Sequence, residues 1–152
     1  YYRTFFEKCA SLLAPHGLAA IQAITIQDHL YEQALRETDF IKEYIFPGSS
    51  IPSVSVLLQS AAGTDMRLVH ADDQGPHYAR TLREWWANLE RNEGRIESLG
   101  FDVRFRRIWE FYFAYCEGGF EEGVLGNAQL LFAKPAAART MRGSRFEWVF
   151  AA

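Results

Sequence analysis

Residues 18–26 read Leu-Ala-Ala-Ile-Gln-Ala-Ile-Thr-Ile, and this run decides the fold class. It is apolar nearly throughout and ends in β-branched residues, a composition that predicts a strand buried on both faces. Before it, apolar residues recur at helical spacing over 2–14, and Pro15-His-Gly17 is predicted to end that helix. The order of helix, turn and buried strand indicates an α/β domain.

Two further strands and several helices are predicted after this run. Met66-Arg-Leu-Val-His70 and residues 124–133 have the composition of strands, and Asp72-Asp-Gln-Gly-Pro76 is typical of a turn. Three strands are fewer than a doubly wound sheet normally has, which suggests an excerpt of a longer protein. Helices are predicted over residues 28–46, 53–62, 78–99 and 101–117.

The helix predicted over residues 101–117 is apolar almost all round, which indicates burial or the wall of an apolar cavity. Aromatic residues make up 15% of the sequence, and they cluster here, near residues 1–6 and at 85–86. Both a large core and a cavity for a long apolar ligand fit this pattern. Gly118-Gly119 is predicted to end the helix.

The composition describes a folded domain without a nucleic-acid footprint. The chain has 152 residues, of which 49% are hydrophobic, and its net charge is −3. Such a chain can bury a packed core, and it has no basic surface for DNA or RNA. Two cysteines are too few for a disulfide framework, which favours a reducing cytoplasm. No apolar run is long enough to span a bilayer.

The two ends of the sequence lead to separate expectations. The sequence starts at Tyr1 with neither an initiator Met nor a signal peptide, which suggests a piece of a longer chain. Residues 1–134 are predicted to form one folded portion of a domain. Residues 135–152 begin with Pro135 and small residues, and they are predicted to be a poorly ordered tail.

No catalytic motif stands out from the residues by themselves. There is no glycine-rich phosphate loop after a strand, no Gly-x-Ser-x-Gly elbow and no His/Cys cluster with zinc spacing. His70, Asp72, Asp73 and His77 straddle a turn, so no metal site is predicted. The basic run Arg104-Phe-Arg-Arg107 fits either a solvated helix start or a contact with anionic lipid headgroups.

Gln22 is a polar amide within a strand that otherwise reads as buried. A buried amide must find hydrogen-bond partners or cost on the order of 1–3 kcal/mol. One interpretation is a core glutamine with its hydrogen bonds satisfied. The other is a polar group toward the carboxyl end of a strand, where ligand crevices lie in open α/β sheets.

Five stretches of the sequence, taken in order, resemble one enzyme family. The most specific are Tyr44-Ile-Phe-Pro-Gly48 and His77-Tyr-Ala-Arg-Thr-Leu82, within the longer stretches 40–53 and 75–85. The other stretches are 2–17, 22–26 and 109–120. On these residues the chain resembles the cyclopropane-fatty-acyl-phospholipid synthase family, including the mycolic acid cyclopropane synthases, over about residues 1–134.

The resemblance implies the C-terminal part of a class I S-adenosylmethionine-dependent methyltransferase. Its fold is a Rossmann-like α/β sheet with inserted helices that form a lid and an acyl tunnel. The strand at 18–26 would be the fifth of seven, and the last strand, 124–133, would run antiparallel. The cofactor loop, an active-site Cys and a Glu would lie upstream of Tyr1, so this chain would hold no cofactor-binding residue. The tunnel and lid would include Tyr44, Phe46, Trp109, Tyr112, Phe113 and Cys116.

The resemblance also implies a chemistry and two cofactors, S-adenosylmethionine and bicarbonate. An alkene in a lipid acyl chain takes the methyl group, bicarbonate removes a proton, and a three-membered ring closes. Tyr78 matches the tyrosine that hydrogen-bonds the bicarbonate, and Ile24 matches a position whose backbone contacts it. Gln22 stands where ring-forming members carry a bicarbonate-binding His. Because Gln can donate a hydrogen bond but cannot titrate near neutral pH, methyl transfer is expected and ring closure stays open.

The implied partners are the acyl chains of phospholipids, met by a cytoplasmic protein that touches the membrane surface peripherally. A homodimer is left open. Without the upstream cofactor loop, the chain by itself is expected to be inactive. Two alternatives remain: a methyltransferase that acts on a small apolar molecule, and a non-catalytic relative that binds lipid.

Overall fold

The computed structural model describes the backbone of residues 1–141 and the side chains of residues 1–138. The chain divides into two compact units. Unit 1 comprises Tyr1–Gln22, Ser55–Asp72 and the chain from Gln129 onward, and unit 2 comprises Ala23–Val54 and Asp73–Ala128.

The described residues form a mixed order of helices and strands, in which one or more helices separate successive strands, as the sequence predicts for an α/β chain. A single turn of π-helix at Ile41–Ile45 interrupts the order. The elements are α1 (Tyr2–Leu12), β1 (Leu18–Ile26), α2 (Asp28–Arg36), α3 (Val54–Ala61), β2 (Arg67–Asp73), α4 (Gly75–Arg91), α5 (Glu93–Ser98), α6 (Val103–Glu121), β3 (Leu125–Ala133) and α7 (Pro135–Met141).

The three strands form one sheet in the order β1-β3-β2. Backbone hydrogen bonds join Lys134 to the Gly17 carbonyl (3.0 Å) and Gln27 to the Val124 carbonyl (3.2 Å). The beginning of β1 therefore lies beside the end of β3, and the end of β1 lies beside the beginning of β3. This arrangement confirms the antiparallel last strand that the resemblance implies.

The prediction that residues 18–26 are buried on both faces is wrong for the structure described. Alternate side chains of β1 are exposed: Leu18, Ala20, Gln22 and Ile24. Those between them are half-buried, and Thr25 is 5% exposed. β1 is an edge strand of the described sheet, and successive side chains of a strand point to opposite faces. Other residues cover only one face of β1, although the side chains on both of its faces are mostly apolar.

The predicted stop at Gly118-Gly119 is also wrong, because α6 continues through both glycines to Glu121. The chain turns instead at Gly123, whose φ of +66° lies in the left-handed region that glycine enters without strain. The Gly123 N–H donates to the Phe120 carbonyl at 3.2 Å. Glycines are tolerated inside the helix, and the one with positive φ ends it.

The structure differs from two other sequence expectations. Residues 135–141, assigned to a poorly ordered tail, form helix α7, in which Ala137 is 8% exposed. The rest of that predicted tail, 142–152, lies outside the described residues. The helix predicted over 28–46 divides into α2 and the π-helical turn.

β2 is longer than predicted, and its last residue organises the start of α4. The strand runs to Asp73, inside the segment expected to be a turn. Asp73 Oδ1 accepts hydrogen bonds from the backbone N–H groups of Gly75 and Asn127, both at 2.8 Å. One carboxylate thus accepts hydrogen bonds from a backbone N–H in the first turn of α4 and from a backbone N–H of strand β3.

The core of unit 1 forms around Phe6 and Phe132, which are 0% and 1% exposed. Their rings meet edge to face with centroids 5.3 Å apart. The Lys134 ammonium pairs with Asp65 at 2.6 Å and donates to the Ala10 carbonyl at 3.2 Å. The other buried apolar residues of this unit are Leu57, Ala61, Met66, Leu130, Ala133 and Ala137.

The core of unit 2 lies between α4 and α6. Its buried residues are Ala79, Leu82, Phe113 and Phe120. The spacing of Ala79 and Leu82 on α4 puts them on one helix face, which explains why this amphipathic helix packs against α6. Half-buried residues packed on this core are Tyr78, Trp86, Leu89, Trp109, Tyr112, Cys116 and Leu125.

Candidate active site

Unit 2 contains a mostly apolar cavity of about 460 Å³. Its walls come from the end of β1, the start of β3, the segment 34–51, and helices α4 and α6. This volume is within the range of small-molecule sites in proteins. Apolar lining residues include Ile24, Ile26, Leu82, Phe120, Val124 and Leu125.

Tyr78 reaches the cavity from the first turn of α4. Its ring lies against Phe120, with centroids 4.9 Å apart, and edge-on to Trp85 at 6.1 Å. These contacts hold the ring, while the hydroxyl makes no hydrogen bond to any residue in the described part of the chain. The phenol is therefore a positioned donor beside an apolar space.

Tyr112 and Cys116 lie one turn apart on α6, and both line the cavity. Their side chains share a hydrogen bond. Burial raises the pKa of Tyr112 to about 12, with smaller contributions from Cys116 and Tyr78. Burial also raises the pKa of Cys116 to about 11, although its hydrogen bond with Tyr112 acts in the opposite direction.

A third phenol and a carboxylate complete this polar group. Burial raises the pKa of Tyr115, and the negative charge of Asp39 raises it further. Asp39 has the same effect on the pKa of Cys116. At neutral pH these phenols and the thiol are uncharged, so this wall of the cavity suits an apolar ligand. It provides no thiolate nucleophile.

These pKa values predict a loss of stability at high pH. Because the folded-state pKa values exceed the ordinary 9.0 of Cys and 10.0 of Tyr, the folded state holds these protons more tightly. The contribution is fully present below pH 9.0 and is lost as pH rises through about 11 and 12. Urea unfolding at neutral pH and at about pH 10.5 measures this loss.

The variant Tyr112→Phe serves as the comparison. It keeps the ring and removes one of the shifted protons, so its free energy of unfolding is expected to fall less steeply with pH than that of the unchanged chain. Parallel pH profiles for the two chains would mean that the Tyr112 hydroxyl is not buried as described.

The sequence analysis missed the residue that shapes the wall formed by segment 34–51. The Lys42 ammonium donates to the carbonyls of Ala34 and Glu37, the second at 2.7 Å. The Lys42 backbone N–H donates to Asp39 Oδ1 at 2.9 Å. These bonds tie the end of α2 to the π-helical turn, and such turns are frequent at functional sites. Nothing in the spacing of residues 34–42 signals this arrangement.

The predicted tunnel residues lie in three different environments: the cavity wall, the core of unit 2 and the surface. Phe46, Tyr112 and Cys116 line the cavity. Trp109 and Phe113 lie in the core of unit 2, their rings 5.8 Å apart. Tyr44 is 50% exposed and packs on Phe40, with centroids 5.2 Å apart.

Of the three residues predicted to hold bicarbonate, the cavity brings two together. Ile24 and Tyr78 both line it. Gln22 belongs to unit 1, where its Oε1 accepts a hydrogen bond from Gln129 Nε2 at 3.1 Å. The Gln22 side chain is exposed, unlike the buried amide that the sequence suggests. The roles of these residues stay predictions.

Among the described residues, no group of three or more His, Cys, Asp or Glu side chains is placed to hold a metal ion. Within the same part of the chain, every helix is too short or too polar to cross a bilayer.

Comparison with known sequences decides the family. A sequence model of mycolic acid cyclopropane synthetase matches residues 1–130 of the chain. The chain belongs to this family. The resemblance noted from the five stretches of sequence is therefore confirmed.

Two curated relatives illustrate the match. The tuberculostearic acid methyltransferase UfaA1 of Mycobacterium tuberculosis is 38% identical over 122 residues, which are 80% of this chain and 29% of the relative. The hydroxymycolate synthase MmaA4 of the same organism is 27% identical over 147 residues, or 90% of this chain and 48% of the relative. The chain spans about half, or less, of the length of these relatives.

Solved structures agree on the fold. The structure of mycolic acid cyclopropane synthase CmaA1 complexed with SAH and CTAB matches with a TM-score of 0.78 at 26% identity. The match covers 88% of this chain and 50% of that one. The mixed α/β fold is thus that of the methyltransferases of this family, as the sequence analysis predicted.

Proposed function

We propose that this chain is the acyl-binding part of an S-adenosylmethionine-dependent methyltransferase that methylates a carbon–carbon double bond in a lipid acyl chain. The observation that carries the proposal is the cavity in unit 2, which joins apolar walls to protonated phenols. Family membership and the similarity to UfaA1 and MmaA4 support it.

The described residues do not fit a complete cofactor site. Dinucleotide and S-adenosyl groups are commonly held by glycine-rich turns that follow a strand. Here β1 is followed by Gln27 and α2, and β2 is followed by Gln74 and α4. We therefore place the cofactor on sequence outside this chain and expect the chain by itself to be inactive. When bound, the cofactor supplies the methyl group.

The residues of this chain would act by excluding water and surrounding positive charge. A cation formed on an acyl chain is short-lived in water, so a dry cavity protects it. Aromatic faces attract cations, and the rings of Tyr78, Tyr112 and Phe120 line the cavity. The protonated phenol of Tyr112 and thiol of Cys116 are poor nucleophiles, so they would not trap the cation by direct bonding.

Removal of a proton from the methylated chain needs a base. The proposal follows the family resemblance in assigning it to bicarbonate, with Tyr78 donating a hydrogen bond to the ion. The Tyr78 hydroxyl suits this role because it has no hydrogen-bond partner among the residues described. Ile24 lines the same cavity and would contact the ion through its backbone.

The amide at position 22 bears on whether the product is a branched chain or a ring. Within unit 1 its Oε1 accepts a hydrogen bond from Gln129 Nε2, and Gln22 is not among the residues that line the cavity of unit 2. A glutamine cannot take up a proton near neutral pH, unlike the His of ring-forming members. Because ring-forming members of the resembled family carry a His at this position, we propose that the cation loses its proton to give a methylene-branched or an unsaturated methyl-branched acyl chain, in place of a cyclopropane.

Lipid analysis of cells that express the complete protein tests the proposal. Monounsaturated chains are expected to gain the mass of one methylene unit, and cells with an empty vector show no gain. Nuclear magnetic resonance of the product distinguishes a branch from a ring, and cyclopropane protons would refute the branched product. The 152-residue chain is expected not to bind S-adenosylmethionine in calorimetry, and binding would contradict the placement of the cofactor.

A further inference from the structure

A band of side chains, all exposed except the half-buried Ile108, runs along one face of α6. Arg104, Arg107, Ile108, Phe111 and Tyr115 follow one another at spacings of three and four residues, which places them on the same side of a helix. Phe111 is 51% exposed and Tyr115 is 45% exposed. We call these five residues the α6 face.

The surface beside the α6 face is also apolar. The ring of Phe40 lies 4.5 Å from that of Phe111, edge to face, and Tyr44 packs on Phe40. Val103, at the start of the helix, is 52% exposed. Phe40 and Val103 share a shallow hollow of about 340 Å³ with residues of the α6 face. Large apolar groups grouped on a surface mark interaction sites more often than isolated ones do.

The charge at the start of this face is positive and unbalanced. Arg104 and Arg107 form no ion pair with the described residues, whereas Arg106 pairs with Glu93 and Glu110. The carboxylate of Asp102 accepts the Phe105 N–H at 2.9 Å and caps the helix. The whole chain has a net charge of −3, so these arginines are a local feature.

The α6 face is continuous with the cavity of unit 2. Tyr115 belongs to both, since it is exposed on the helix and lines the cavity. Phe46, which is 51% exposed, also lines the cavity. An apolar chain that leaves the cavity past these two side chains would therefore reach the surface next to the α6 face.

We propose that the α6 face docks on an anionic phospholipid bilayer. Arg104 and Arg107 would meet the headgroups, while Phe111 and its neighbours would enter the boundary with the acyl chains. An acidic protein would also satisfy the two arginines, but it would leave the larger apolar area without a matching partner. The passage of an acyl chain from the bilayer into the cavity rests on the proposed function.

Vesicle co-sedimentation tests the docking. The chain is expected to bind vesicles of phosphatidylcholine and phosphatidylglycerol far more tightly than vesicles of phosphatidylcholine alone. The double variant Arg104→Gln/Arg107→Gln is expected to weaken binding to the anionic vesicles by roughly 30-fold. The matched control Arg67→Gln/Arg80→Gln removes two other exposed arginines without a described ion pair, and it is expected to bind normally.

A second variant tests the apolar component. Phe111→Gln is expected to weaken binding to anionic vesicles, and circular dichroism checks that the variant remains folded. If Phe111→Gln does not fold, Val103→Gln at the exposed start of α6 replaces it. Equal binding to both kinds of vesicle, or equal loss in the control pair, would overturn the proposal. Binding of the chain to an acidic acyl carrier protein, with no binding to vesicles, would overturn the proposal as well.

The docking and the proposed function can fail separately. Vesicle binding requires no turnover, so its result stands even if the complete protein methylates no lipid. If the complete protein is active, Arg104→Gln/Arg107→Gln is expected to keep its turnover on detergent-dispersed phospholipid and to lose it on anionic vesicles. If this variant is equally active on detergent-dispersed phospholipid and on anionic vesicles, the docking proposal is overturned and the proposed function is unaffected.

Discussion

Replacing Tyr78 by Phe in the complete protein is expected to lower the turnover number roughly 100-fold, because a positioned hydrogen-bond donor beside the reacting atoms is lost. The substitution removes only the hydroxyl. The ring contacts with Phe120 and Trp85 do not involve that group, so the free energy of unfolding is expected to stay nearly the same. Turnover on a monounsaturated phospholipid, measured with saturating cofactor, checks the prediction.

Tyr112→Phe provides the contrast for Tyr78→Phe. Both tyrosines line the cavity, but the hydroxyl of Tyr112 already shares a hydrogen bond with Cys116. Its removal is expected to lower turnover by less than about tenfold, well below the effect typical of a catalytic donor. If the two variants lose activity equally, Tyr78 has no special role. If Tyr78→Phe is folded and fully active, the assignment of the hydroxyl is wrong.

Truncating Phe6 is expected to be the most destabilising of the substitutions considered for unit 1. Phe6 is 0% exposed and packs edge to face on Phe132. Phe6→Ala removes a ring from a filled core and leaves a cavity, which typically costs about 3–5 kcal/mol. Urea unfolding followed by circular dichroism measures the change in the free energy of unfolding.

The neighbouring residue is a matched control for Phe6→Ala. Phe5 carries the same side chain on the same helix, but it is 51% exposed. Phe5→Ala is expected to cost less than about 1 kcal/mol, since much of its ring already contacts water. Similar losses for the two variants would mean that α1 does not bury Phe6 as described.

Hydrophobic periodicity was sufficient to place most of the elements. The strands at Leu18–Ile26 and Leu125–Ala133 and the helix at Val103–Glu121 lie where apolar spacing and turn residues predict them. These signals are local, and a window of about ten residues contains them. Boundaries were less predictable, as with α6, because a glycine ends a helix only where φ becomes positive.

The site was predictable only in part. Three residues named from the resemblance, Ile24, Tyr78 and Phe46, line one cavity, while their roles stay predictions. The resemblance did not indicate that Lys42 ties the π-helical turn to the carbonyls at the end of α2. That arrangement depends on where the backbone carbonyls lie after α2 ends, and residue identity does not specify it.

The sequence alone determined the family and the order of the three strands and the longer helices, since both follow from residue identity and short-range spacing, but not helix α7. Only the tertiary structure decided which aromatic residues of α6 are core and which border the cavity. Phe113 is buried against α4, while Tyr112 and Cys116 line the cavity and Phe111 stays at the surface. These residues share one apolar helix, and their environments differ because α4, the π-helical turn and solvent cover different sides of it.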